Sequence, residues 1–166
     1  MFLATAGLLA ATALGIGAAP TPIPNAPAVA SAPAGTVSAA APVVALGPND
    51  ALHLANRVNE VRAARGACPV ALVGDMQSSA VDWANHLGAI GRLEHRALAG
   101  PLPLAENVGM GADGDRVQDL FMKSPGHMAN IVDARFNEMG IGVFQTGSKV
   151  WVTYSFRSSD GQPHPC

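Results

Sequence analysis

The chain has 166 residues, a length that suits one ordinary domain and leaves little room for two. All 10 Lys and Arg residues, all 12 Asp and Glu residues and all 5 His residues lie after position 49, so the net charge of −2 belongs to that part alone. Acids and bases nearly balance there, which leaves no basic surface of the kind that phosphate binding needs. Nucleic acid is therefore excluded as a predicted partner.

The apolar start of the chain indicates export. Residues 1–30 are interpreted as a signal peptide, because "MFLATAGLLAATALGIGAA" is followed by Pro and by small-residue cleavage sites such as Ala28–Ala30. A retained membrane anchor stays open as the alternative, since the run is just long enough to span a bilayer. Residues 31–48 are a Pro/Ala-rich linker with little to bury. We therefore predict a secreted, extracellular protein, held at the cell envelope if the anchor is retained.

The two cysteines, Cys68 and Cys166, both lie in the part predicted to be exported. An even number of cysteines in an oxidising compartment favours a disulfide between them. Two free thiols or a metal pair are the alternatives, but two cysteines so far apart match no zinc pattern.

Residues 49–166 are predicted to form one α+β domain. Asn49 or Asp50 caps a first helix that stops at Gly66, "DMQSSAVDWANHLGAIG" forms a second that closes at Gly91, and Asp113 or Asp115 begins a third. Ser124 and Pro125 start a short fourth helix that carries His127 in its first turn.

After these helices the pattern changes to β-branched and aromatic residues. "NEMGIGVFQTG" and "KVWVTYSFR", joined at the turn "TGSK", predict an antiparallel hairpin. One face of its second strand carries Val150, Val152, Tyr154 and Phe156. Helices first and strands last favour helices packed on an antiparallel sheet.

The candidate chemistry consists of single polar residues in apolar surroundings. His95 lies in "RLEHR", Glu106 in "LPLAENVGMG", and His127 and Asn130 in "SPGHMANI". For any one of them a helix cap or a hydrogen-bonded core side chain is the simpler interpretation. Glu94 and Arg96, which flank His95, are predicted to be solvated. No phosphate-binding loop, GxSxG or HExxH is present.

The order of several segments resembles the CAP superfamily, also called the SCP or cysteine-rich secretory/pathogenesis-related-1 domain, in its bacterial secreted branch. The segments are "VNEVRAARGACPVAL", "DMQSSAVDWANHLGAIGRLEH", "AENVGMG", "LFMKSPGHMANIVDARFNEMGIGVF" and "VWVTYSF". The resemblance covers residues 50–157 and implies a three-layer α-β-α sandwich with a central antiparallel sheet and a cleft.

The resemblance also implies a set of cleft residues. The His of the LEH-like segment, the Glu of the GEN-like segment and the His of the GH segment fall at His95, Glu106 and His127. A second family Glu falls at Ser124, so one carboxylate is replaced by a hydroxyl. We predict His95 and His127 as metal ligands, with Glu106, Ser124 and Asn130 as further cleft residues. Capping of its helix is the role expected of Asn130.

Two imidazoles and one carboxylate can hold Zn²⁺ weakly and lose it as the His residues protonate near pH 6, so folding should not require the metal. The predicted function is a non-catalytic binding module, because no complete catalytic set is visible. We predict that it is a monomer. Its cleft takes a divalent metal or a small, lipid-like ligand, and its partner is a lipid, a cell-envelope component or a surface protein of a host or neighbour. A metal-dependent hydrolase or protease using the same cleft, and an interaction protein with a vestigial cleft, are the alternatives.

Overall fold

The computed structural model describes residues 47–164 and residue 166. The predicted signal peptide and almost all of the predicted linker lie outside the described residues. Within them, no helix is both long and apolar enough to cross a membrane.

Four helices form in the segments for which the sequence predicts them. They are α1 (Ala51–Ala64), α2 (Gly74–Ile90), α3 (Gly114–Lys123) and α4 (Pro125–Val132). Asp50 caps α1 by accepting from the backbone N–H groups of Leu52 and His53, and Asp113 caps α3 in the same way. Gly91 ends α2 in the left-handed conformation, at φ +66°. The predicted helix starts and stops are confirmed.

Four strands form one sheet in the order β1-β3-β4-β2. They are β1 (Ala71–Leu72), β2 (Leu104–Gly111), β3 (Glu138–Thr146) and β4 (Lys149–Arg157). The predicted hairpin is β3 and β4, and β2 pairs antiparallel with β4 from Leu104↔Arg157 to Gly111↔Val150. The short β1 pairs parallel with β3, so the expected antiparallel sheet carries a two-residue parallel edge.

The helices lie on both faces of the sheet, which gives the expected α-β-α sandwich. On one face, side chains of α1, α3 and α4 pack on alternate residues of β3 and β4 and form the main core, which includes Val150, Val152, Tyr154 and Phe156 as predicted. On the other face α2 packs, and Leu87 contacts Val108 and Trp151. β4 is therefore buried on both faces.

The approach of α2 to the sheet depends on two glycines of β3. A Cβ added at Gly140 would collide with the backbone of Met76, and one added at Gly142 with the backbone carbonyl of Ala80. Backbone cannot move aside as the end of a flexible side chain can, so these positions admit no side chain without shifting the helix.

We expect Gly142→Ala to lower the free energy of unfolding by about 3 kcal/mol, because α2 has to move away from the sheet. Urea denaturation followed by circular dichroism measures the change. Gly74→Ala is the matched control, since a Cβ there meets no atom within 4 Å and the residue begins a helix. A Gly142→Ala protein as stable as the control contradicts the close packing of α2.

Two residues of the segment "VNEVR" hold the chain that follows α1. The side-chain amide of Asn59 donates to the carbonyl of Val70 and accepts from its N–H, at 3.0 and 2.8 Å. The fully buried guanidinium of Arg62 donates to four backbone carbonyls, those of Cys68, Ile131, Asp133 and Phe136. Arg62 thereby joins α1 to the loop before β1 and to the end of α4.

The predicted disulfide joins Cys68 to Cys166, whose Cα atoms lie 5.2 Å apart. It fastens the C-terminal residue to the loop between α1 and β1, next to the carbonyl of Cys68 that Arg62 binds.

Candidate functional site

The candidate site is built around the edge strand β2, which presents Glu106 and Asn107 to opposite faces of the sheet. Glu106 pairs with Ser155 on the α2 face, and Asn107 pairs with Tyr154 on the face covered by α3 and α4. Both residues are buried, and the side chain of Glu106 is only 1% exposed. A carboxylate buried in this way needs charged or hydrogen-bonding partners.

The carboxylate of Glu106 has partners at both oxygens. Oε1 accepts from Nδ1 of His95 and from the backbone N–H of Arg96, both at 3.1 Å, and Oε2 accepts from Nε of Arg96 at 2.7 Å. Because an ionised carboxylate only accepts, Nδ1 of His95 carries the hydrogen. In the neutral ring Nε2 then keeps a free lone pair, and the His95 side chain is 59% exposed.

Arg96 was wrongly predicted to be solvated. Its guanidinium also donates to the hydroxyl groups of Ser79 and Ser155 and lies 5.7 Å from the centre of the Trp83 ring. It compensates the charge of Glu106 in the protein interior. The signal that could have found it is the lone acid in an apolar stretch, since a buried carboxylate usually requires a cation nearby.

His127 lies in the first turn of α4, as predicted, after the N-cap Ser124 and Pro125. Its ring contacts that of Phe121 with centroids 4.8 Å apart, and its backbone carbonyl accepts from Nδ2 of Asn107 at 3.1 Å. The edge strand thus holds the start of α4 directly. Asn107 is a site residue that the sequence interpretation missed, although it directly follows Glu106.

Asn130 takes part in the hydrogen bonds around Glu106 and Asn107, whereas Ser124 does not. Asn130 donates to Oδ1 of Asn107 at 2.9 Å and, at 3.4 Å, to the carbonyl of Glu106. It therefore binds α4 to β2 rather than capping its helix. Ser124 is half-buried, and among the described residues its hydroxyl makes no hydrogen bond to Glu106, His95 or His127.

The described residues do not provide the ligand set of a structural metal site. Within residues 47–164 and 166, no group of three or more His, Cys, Asp and Glu residues is placed to hold a metal ion. Glu106 has committed both oxygens, so the imidazoles of His95 and His127 are the available donors. A structural zinc site usually has four protein ligands, whereas two imidazoles leave most positions to water.

We expect His127 to titrate below its ordinary pKa of 6.5, because burial disfavours its charged form and the positive charge of His95 adds to the effect. In the unfolded chain the pKa returns to about 6.5, so the unfolded state takes up the proton first as the pH falls. The contribution of His127 to stability is therefore fully present above about pH 6.5. It declines as the pH falls from there to the lower pKa of the folded state. An NMR titration of the ring measures the value. A wild-type pKa at or above 6.5 contradicts the burial of the ring. His95→Ala should raise the pKa of His127, and an unchanged pKa in that variant contradicts the influence of His95.

The chain belongs to the CAP family, described as the cysteine-rich secretory protein family, whose model matches residues 55–155. No curated protein matches the sequence at a significant level. Solved structures show the same fold at low identity, so they bear on the architecture alone.

An outer surface protein of Borrelia burgdorferi aligns with a TM-score of 0.58 and 15% identity, over 64% of this chain and 90% of that one. An extracellular protein of Bacillus anthracis containing an SCP domain aligns with a TM-score of 0.58 and 17% identity, over 66% of this chain and 40% of that one. NaASP2, solved with Zn²⁺, aligns with a TM-score of 0.50 and 12% identity, over 63% of this chain and 77% of that one.

Proposed function

We propose that the protein is an extracellular binding module that holds a divalent cation, Zn²⁺ in the first instance, through His95 and His127. The observation that carries the proposal is the bond from Nδ1 of His95 to the buried Glu106, because it leaves Nε2 free in an exposed ring. A carboxylate behind a histidine is the usual partner that orients a metal-binding imidazole and raises its basicity. When bound, the cation supplies a Lewis-acidic centre with open positions.

The second imidazole is held in place independently of the first. Phe121 contacts the His127 ring, and Asn107 and Asn130 tie the backbone of α4 to β2. The pKa of His127 is lowered by burial, which keeps the ring neutral and able to bind at neutral pH. NaASP2, a fold relative, was solved with Zn²⁺, which agrees with the proposal without assigning ligands here.

The geometry favours binding over hydrolysis. A hydrolase using this cleft needs a carboxylate free to take a proton from water, and Glu106 accepts three hydrogen bonds while its side chain is 1% exposed. An extracellular location is supported by the outer-surface and extracellular descriptions of the Borrelia and Bacillus proteins. A lipid, an envelope component or a surface protein as the partner stays a prediction.

Calorimetric titration with Zn²⁺ at neutral pH tests the proposal. We expect His95→Ala/His127→Ala to weaken binding by about a hundredfold, since both protein donors are removed. His53→Ala is the matched control and should bind as the wild type does, because His53 lies on α1 and bonds to Asp115. Equal affinity of the wild type and the double variant contradicts the paired-imidazole site.

A further inference from the structure

A separate groove of about 250 Å³ lies beside the imidazole cleft, on the α2 side of Arg96. It runs between the start of α2, residues 96–99 and the adjoining ends of β2 and β4. Met76, Leu98 and Leu104 form its apolar walls. Neither His95, Glu106 nor His127 lines it, so it is distinct from the cation site proposed above.

The polar end of this groove presents two hydroxyl groups that can donate. Arg96 donates to Oγ of Ser79 and to Oγ of Ser155, and a guanidinium cannot accept. Each serine oxygen therefore acts as an acceptor toward Arg96 and keeps its own hydrogen. Among the described residues neither hydroxyl donates to an acceptor, although Ser155 is only 5% exposed. A buried donor without an acceptor is costly, and an acceptor in the groove would relieve that cost.

The charges around the groove do not favour an anion. Arg96 is paired with Glu106, and Arg157 bonds to both Asp75 and Glu138. Both guanidiniums are thus neutralised, and one carboxylate remains in excess. A ligand carboxylate would meet net negative charge, whereas an uncharged carbonyl oxygen accepts hydrogen bonds without that repulsion.

We propose that this groove binds a neutral acyl compound, with its ester or amide carbonyl at Ser79 and Ser155 and its chain along Met76, Leu98 and Leu104. The groove's volume equals that of about eight liquid water molecules at about 30 Å³ each. This space suits a ligand of about ten non-hydrogen atoms. Octanamide has this size, and octanoate matches its shape with a charged head group.

Two-dimensional amide NMR of the purified protein titrated with octanamide tests the proposal. We expect shifts at Ser79, Leu98 and Ser155, and an affinity at least about tenfold lower in Ser79→Ala/Ser155→Ala, which loses two hydrogen bonds. Ser79→Ala alone changes an exposed side chain, keeps the fold and should lose about fivefold. Methyl octanoate distinguishes an ester head group from an amide, and binding of either compound at the groove supports the proposal.

Ser78→Ala is the matched control and should leave octanamide binding unchanged, because the Ser78 hydroxyl bonds to the carbonyl of Gly74 and lies outside the groove. His95→Ala/His127→Ala should also bind octanamide as the wild type does, which separates this site from the cation site. The proposal is overturned if neither acyl compound shifts the groove residues or if Ser79→Ala/Ser155→Ala binds as tightly as the wild type. If octanoate binds as tightly as octanamide, the claim that the groove selects an uncharged head group is overturned.

Discussion

Arg62→Ala is expected to lower the free energy of unfolding by about 3–5 kcal/mol. The change removes a fully buried guanidinium and leaves four backbone carbonyls without their donor. These carbonyls belong to the loop before β1 and to the chain around the end of α4, so the parts that Arg62 joins should separate. Burial lowers the pKa of this guanidinium, because the protein interior disfavours its charged form.

Urea denaturation measures the effect, and Arg65→Ala is the matched control. Arg65 is exposed at the end of the same helix, so its replacement should change stability by less than about 0.5 kcal/mol. Arg62→Lys retains a charge but cannot bind four carbonyls arranged around a planar group, and should recover only part of the loss. A cost below about 1 kcal/mol for Arg62→Ala would show that the carbonyls find other partners.

Removing the disulfide is the second large effect that we expect. Cys68→Ser/Cys166→Ser should lower the free energy of unfolding by about 4 kcal/mol, because the bond closes a loop with a sequence separation of 98 residues and restricts the unfolded chain. The double replacement avoids leaving one reactive thiol.

Thermal unfolding with and without reductant checks the disulfide in the wild-type protein. Reductant should lower the midpoint of the wild type and leave that of Cys68→Ser/Cys166→Ser unchanged, and intact mass should rise by two hydrogens on reduction. A wild-type midpoint that does not respond to reductant, with an unchanged mass, means that the two thiols are not joined.

The elements with strong local signals were predictable from the sequence. Asp50 and Asp113 mark helix starts through their side-chain acceptors, and Gly91 marks a stop through its left-handed conformation. The hairpin of β3 and β4 was predictable because β-branched and aromatic residues surround the turn at Gly147.

The strand β2 was not predicted, because its sequence "LAENVGMG" is poor in strand-forming residues. Glu106, Asn107 and two glycines weaken local β preference, and the pairing with β4 decides the conformation. One of these glycines, Gly109, has no room for a side chain beside Val117 and Phe121. Tertiary packing thus accounts for a residue choice that local propensity does not explain.

The sequence predicted which residues belong to the site better than it predicted the hydrogen bonds between them. Resemblance to the CAP family placed His95, Glu106 and His127 in one cleft, and the structure joins His95 to Glu106 directly. The part played by Arg96 could not be predicted, since only the fold shows that its side chain reaches the buried acid and two serines from separate elements. The hydroxyl at Ser124 stays a predicted cleft group without a hydrogen bond to this network.

The central claim is that Glu106 fixes His95 with Nε2 free to bind a cation together with His127. Nitrogen NMR of the imidazole rings tests it most directly, because it distinguishes protonated from unprotonated ring nitrogens and shows which of them a metal binds. We predict that neutral His95 carries its hydrogen on Nδ1, and that added Zn²⁺ shifts Nε2 of His95 together with the His127 ring. A hydrogen on Nε2 of His95, or zinc-induced shifts confined to His53, His86 and His164, would contradict the account.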